Sequence, residues 1–224
     1  MLEAKEISKK YFRPSKNKSH ITAVETLDFT LEEGKLTEIT GRSGSGKSTL
    51  LYIMAGLLKP DSGTVKLDGK DLYSLDDKNL SLLRNKNFGI IPQGQTGLFA
   101  LTVLQNVLSP AMLYGDTKEY ESRAEFLLDK VGILDLKDSK MAELSGGEMR
   151  RMAIARALLL KPKVIFADEP TDDLDNENTK SVLSLLKDCT KEEASVLLVT
   201  HEAEAAKYAD TLYRMEKGTL SRIS

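Results

Sequence analysis

Two short runs, Val164-Ile165-Phe166-Ala167 and Val196-Leu197-Leu198-Val199, are apolar at every position. Unbroken runs of this length read as buried strands, the pattern of a sheet covered on both faces. Leu2 to Ser8 and Val24 to Leu31 alternate only in part and read as two further strands. Phe88-Gly89-Ile90-Ile91 is a strand closed by Pro92, and Thr64 to Leu67 is a short one before an Asp68-Gly69 turn. Thr211 to Met215 and Thr219 to Ile223 suggest a terminal hairpin around Lys217-Gly218. Leu36-Thr37-Glu38-Ile39-Thr40 also reads as a strand, but it is polar for a central position, and a buried Glu38 would need a partner.

Helical patterns fall between these strands. One runs from Thr49 to Met54 and one from Asp76 to Arg84. Thr102 and Gln105 have capping-box spacing and open a helix that Pro110 kinks or ends. Another runs from about Lys118 to Val131 and stops at Gly132. Two more run from Ser145 to about Leu160 and from Asp175 to about Cys189. No strand signal occurs between about 94 and 144, so this stretch reads as a helical lobe inserted into an α/β core. Pro14 to His20 is polar and predicts an exposed turn, with His20 on the surface.

Composition narrows the function classes. A net charge of −2 gives no sign of a nucleic-acid binder. A single cysteine, Cys189, cannot form an internal disulfide, which suits a reducing compartment, and its place in an apolar-periodic helix reads as a small core residue. No apolar run is long enough to span a bilayer, and Met1 to Glu6 lacks a signal core, so export is not expected.

The chemistry centres on Gly41-Arg42-Ser43-Gly44-Ser45-Gly46-Lys47-Ser48, which fits the phosphate-binding pattern G-x-x-x-x-G-K-[ST] between a strand and a helix. Glycines let backbone N–H groups close around an anion, and the helix that follows presents the positive end of its dipole. In such a loop Lys47 reaches the β- and γ-phosphates and Ser48 ligates Mg²⁺. The apolar strand at Val164 ends on Asp168-Glu169, costly without a cation. Asp168 suits Mg²⁺ and Glu169 suits an attacking water. Ser145 and Glu148 have capping-box spacing around Gly146-Gly147, and two glycines weaken a first turn unless the backbone must approach something closely. Three positions stay open on spacing alone. Tyr11 stacks on a base or packs at a strand end; Gln93, just past a strand, is a site residue or a loop residue; His201 contacts a γ-phosphate or is structural.

The ordered set of P-loop, Gln93, Leu144-Ser145-Gly146-Gly147-Glu148, Asp168-Glu169 and His201 resembles the ATP-binding-cassette (ABC) ATPases over essentially the whole chain. The resemblance implies an α/β fold: a P-loop NTPase (RecA-like) core, a small antiparallel β subdomain and the inserted helical subdomain, all within one domain, 1–224. It implies ATP and Mg²⁺ as cofactors. Tyr11 then matches the adenine-stacking aromatic. Gly41, Ser43, Gly44, Ser45, Gly46, Lys47, Ser48 and Thr49 match the phosphate loop. Gln93 matches the glutamine that contacts Mg²⁺ and water, Asp175 the aspartate after the acidic pair, and His201 the switch histidine. Two subunits pack head to tail, so that Ser145, Gly146, Gly147 and Glu148 face ATP held by a second copy or a homologous ATPase.

Within the family the chain looks most like ATPases of the macrolide-export and lipoprotein-release type, on Asp71 to Asp76, Leu101 to Val107 and Thr171 to Asp175. That resemblance implies an integral membrane permease as partner and a place on the cytoplasmic face of the membrane. A soluble ATPase of the iron–sulfur assembly type is the alternative. The chain departs from its relatives at Pro92, at Gln95 to Phe99, at Met149-Arg150-Arg151 and at Asp173, where an extra negative charge near the dimer seam is expected to weaken association.

Overall fold

The computed structural model describes residues 1–13, 19–94, 96–113, 115, 117–172 and 174–223. Of the turn expected from Pro14 to His20, residues 14–18 lie outside the described residues, as do Gln95 and Asp173, while Ser19 and His20 begin a strand rather than a turn, paired in register with Arg13 and Phe12.

Among the described residues, ten strands form two sheets. The smaller is antiparallel and contains β1 (Leu2–Arg13), β2 (Ser19–Leu31), β4 (Ser62–Leu67) and β5 (Lys70–Asp71), in the order β2-β1-β4-β5. β1 and β2 are each longer than the sequence pattern suggests. The ladder between them is irregular between Ala4 and Lys10, and each irregularity breaks the alternation that periodicity relies on. The larger sheet contains β3 (Leu36–Thr40), β6 (Phe88–Ile91), β7 (Val164–Asp168), β8 (Ser195–Val199), β9 (Thr211–Glu216) and β10 (Thr219–Arg222). Its order is β10-β9-β3-β8-β7-β6, parallel from β9 to β6, with β10 antiparallel through the Lys217-Gly218 turn.

The helices are α1 (Lys47–Met54), α2 (Asp77–Asn87), α3 (Val103–Met112), α4 (Glu121–Lys130), α5 (Gly146–Leu158) and α6 (Asn176–Lys191). Thr102 and Gln105 close the expected capping box on α3. Pro110 lies inside α3 and has no N–H for the Asn106 carbonyl; the Ser109 hydroxyl donates to that oxygen instead, at 2.8 Å.

The larger sheet is buried on both faces. Ile165, Ala167, Val196 and Leu198 pack towards α3 to α6, while Phe166, Leu197 and Val199 pack towards α1 and the small sheet. This two-sided burial is why these strands are continuously apolar.

Glu38 is the exception. It is 2% exposed in the central strand, in register with Leu198 and Leu212, and its Oε2 has no hydrogen-bond partner. The partner expected of a buried Glu38 is absent among the described residues; the carboxyl avoids the cost of a buried charge by holding its proton. Burial pushes its pKa from 4.5 to about 7. The folded chain therefore binds a proton that the unfolded chain releases between these values, and stability falls as pH rises through that window. Glu38→Gln removes the penalty. We expect it to exceed the parent in stability by on the order of 3 kcal/mol at pH 8, with the difference vanishing below pH ~4.5. Denaturant titrations at both pH values test this, and a difference independent of pH would refute it.

Candidate active site

β3, β8, β7 and β6 are neighbours in the parallel sheet, so their carboxyl ends open onto one edge. Loops at that edge build the sites of open α/β sheets. β3 delivers the loop from Gly41, β8 delivers Thr200-His201, β7 delivers Asp168-Glu169, and β6 delivers Pro92-Gln93. Residues far apart in sequence converge for this topological reason.

The phosphate loop is tightly enclosed. Gly46 caps α1 at φ 108°, and a Cβ there would lie 1.9 Å from the Ala23 carbonyl oxygen. At Gly41, φ is 155° and a Cβ would meet the Met215 carbonyl oxygen at 2.3 Å. Neither position has room for a side chain. The hairpin turn braces the loop, with the Gly218 N–H donating to the Ser45 carbonyl at 2.9 Å. The buried Lys47 curls over the loop and donates to the carbonyls of Gly41 at 2.8 Å and Arg42 at 3.3 Å.

Across the edge, Ser48 Oγ donates to Asp168 Oδ1 at 2.9 Å. Asp168 is fully buried, and its Oδ2 has no hydrogen-bond partner of ordinary geometry. Burial raises its pKa, and the neighbouring charge of Glu169 adds to the rise against the hydrogen bonds from Tyr52 and Ser48. Tyr52, one turn after Ser48, is itself pushed up to about 12 by burial and by the charge of Asp168. A hydroxyl beside a buried carboxylate with an orphaned oxygen is a fitting donor pair for a hard divalent cation.

Glu169 is 7% exposed and sits at φ 47°, a conformation rare for a side chain of its size. Its N–H donates to the Val199 carbonyl at 2.8 Å, and its Oε2 lies 3.0 Å from Nδ1 of the exposed His201. That contact raises the His201 pKa, so the imidazole carries its proton to higher pH than a free histidine.

A cavity of about 740 Å³ brings together Tyr11, Ser43, Gly44, Gly46, Lys47, Ser48, Thr49, Gln93, Glu169 and His201. Gly41 and Ser45 line an adjoining cavity. Ser145, Gly146, Gly147 and Glu148 border neither. They start α5, where Ser145 caps the helix and Glu148 reaches back to its N–H at 2.7 Å. Asp175 caps α6, its carboxylate accepting from the N–H groups of Glu177 at 3.0 Å and Asn178 at 2.8 Å.

Sequence reasoning missed several contributors. Ile21, paired in register with Tyr11, walls the cavity beside Ala23. Arg42 also lines it, at a position the motif leaves unspecified. Arg150, seen in the sequence only as a departure, is 2% exposed and donates to the Pro92 carbonyl at 3.0 Å. Arg156 donates to Thr96 Oγ1 at 2.9 Å, so α5 grips the loop on both sides of Gln93.

A model of the family described as ABC transporter matches residues 24–172. The chain belongs to the ABC transporter family. The lipoprotein-releasing system ATP-binding protein LolD 2 of Rhodopirellula baltica is 40% identical over 228 residues, covering 98% of this cassette and 88% of that protein. The macrolide export ATP-binding/permease protein MacB of Chlorobaculum tepidum is 34% identical across 98% of the cassette, which spans 33% of that longer protein. Among solved structures, a dimeric post-hydrolysis state of the ATP-binding cassette MJ0796 bound to ADP and Pi matches with a TM-score of 0.92 and 31% identity. It covers 100% of this chain and 99% of that one. The cassette is thus an ATP-binding, ATP-hydrolysing subunit of an ABC transporter. These relatives favour transport over the iron–sulfur assembly alternative.

Proposed function

We propose that the cassette hydrolyses ATP with the residues gathered at the sheet edge and passes the motion to a separate permease on the cytoplasmic face of the membrane. The observation that carries this reading is the cavity that unites Tyr11, the phosphate loop, Gln93, Glu169 and His201 beside the Ser48–Asp168 contact. Tyr11 stacks on the adenine, with Ile21 beside it. The loop N–H groups and Lys47 hold the phosphates. Ser48, Asp168 and Gln93 hold Mg²⁺, which supplies charge neutralisation at the transferring phosphoryl group. Glu169 takes a proton from the attacking water, and His201 fixes the carboxylate that does so.

The capping box at Ser145 turns the N-terminus of α5 outward for ATP bound by the second subunit. Arg150 and Arg156 tie α5 to the Gln93 loop, so that contact of Ser145 with a partner's nucleotide moves this subunit's own loop. The helical segment 94–144 packs on α5 and carries the movement on. Among the described residues no helix is long and apolar enough to cross a membrane.

Affinity purification of tagged cassette from detergent-solubilised membranes tests the placement. We expect a polytopic membrane protein at near-stoichiometric amount. Recovery from the soluble fraction alone, bound to other soluble proteins, would overturn it.

A further inference from the structure

A cavity of about 690 Å³ lies between α4, the C-terminal end of α5 and α6, and none of the nucleotide-site residues lines it. Its volume falls within the ~300–1,000 Å³ typical of small-molecule sites. Phe126, Leu127, Leu158, Leu185 and Tyr208 supply an apolar lining. Cys189 adds to it as an inert surface, because burial pushes its thiol up to about 11 and leaves no nucleophile at neutral pH.

Charge at the lining is unbalanced. Arg123, Lys130, Lys161 and Lys180 face Asp188 and Glu192. Arg123 is spent on the end of α5, donating to the carbonyls of Leu159 at 2.8 Å and Leu158 at 3.1 Å. Asp188 is paired with Lys191 at 2.7 Å. Lys130 and Lys161 make no ion pair among the described residues, and Lys180 lies near Glu204, which Lys207 already pairs at 2.6 Å, so cations outnumber carboxylates at the lining. Lys130 stands 5.4 Å from the centre of the Phe126 ring, so cation and apolar surface meet at one place. Lys130 also lines a small neighbouring pit with Ser181, whose hydroxyl donates to the Glu177 carbonyl at 3.0 Å.

We propose that this cavity binds a small amphipathic anion, its apolar body against Phe126, Leu127 and Leu185 and its charged group at Lys130 and Lys180. A neutral apolar ligand leaves the lysines unused, and a cation is repelled by them. The ligand bridges α4 to α6, and α4 packs on α5, so occupancy bears on the helix that begins at Ser145.

The test is calorimetry on the nucleotide-free cassette, with decanoate and 1-naphthoate as probes and decylammonium as the cationic control. We expect saturable one-to-one binding of at least one anion at submillimolar concentration. Preference for decanoate assigns an acyl source and preference for 1-naphthoate an aromatic one. Lys130→Glu combined with Lys180→Glu is expected to weaken binding at least about tenfold, and Ser184→Trp, which fills the cavity from an exposed position, to abolish it. ATP affinity of the same variants, expected to be unchanged, confirms that they fold. No saturable binding of either anion, equal affinity for decylammonium, or undiminished binding by both variants overturns the proposal. None of these readouts depends on hydrolysis, so the outcome is separate from that of the catalytic assignment.

Discussion

Glu169→Gln is expected to bind ATP as the parent does and to hydrolyse it at least about a hundredfold more slowly. A positioned general base contributes roughly 10²–10⁴ in rate, equivalent to about 3–5 kcal/mol of barrier. The substitution keeps the shape of the side chain, its place at the end of β7 and its ability to meet His201, and it removes only the proton acceptor. In the proposed function, ATP binding is assigned to Tyr11 and the loop from Gly41 to Thr49, which the change leaves untouched. Single-turnover hydrolysis beside equilibrium binding of a fluorescent ATP analogue separates the two effects. A variant that hydrolyses at near-normal rate takes Glu169 out of the catalytic role.

The parts of this molecule that were legible in its sequence share one property: a local physical demand that admits few residue types. A strand covered on both faces must be apolar throughout, which exposed β7 and β8. A loop that wraps a phosphate must put glycine where a Cβ would strike backbone, and at Gly46 that clash is with Ala23, on a different strand. The cap on α5 needed Ser145 and Glu148 at fixed spacing, and the structure shows that contact.

What was not legible depends on which loops meet. Tyr11, Gln93 and His201 carry no signature in their neighbours, because their roles come from the order β3-β8-β7-β6 and from the small sheet that brings Tyr11 to the phosphate loop. Family resemblance supplied those roles where spacing did not. Arg150 escaped for a related reason. A charged residue on a helix reads as surface, and only the packing of α5 against the loop after β6 buries it and turns it towards Pro92. Glu38 shows the limit from the other side: the sequence exposed the anomaly, while its resolution, a carboxyl that keeps its proton, depends on a surrounding that no local pattern records.

Ser145→Arg is expected to abolish hydrolysis, by at least about a hundredfold, while ATP binding to the isolated subunit stays as in the parent. Ser145 is exposed at the start of α5, so the larger side chain is accommodated in the monomer, at a cost of about 1 kcal/mol for the lost cap. It does not border the cavity that holds Tyr11 and Lys47. The damage falls only where this surface must meet ATP on a second subunit. Ser145→Ala loses the same cap without adding bulk, so its unfolding free energy, measured beside that of Ser145→Arg, keeps a mere stability effect from being mistaken for the contact. A mixing experiment decides the geometry. Lys47→Ala spoils the phosphate loop and leaves Ser145 intact, whereas Ser145→Arg does the reverse. In a head-to-tail dimer of one of each, a sound phosphate loop faces a sound α5 terminus at one of the two sites. Two inactive preparations should then regain activity on mixing, up to about a quarter of the parental rate if subunits pair at random. If each subunit completes its own site, mixing restores nothing.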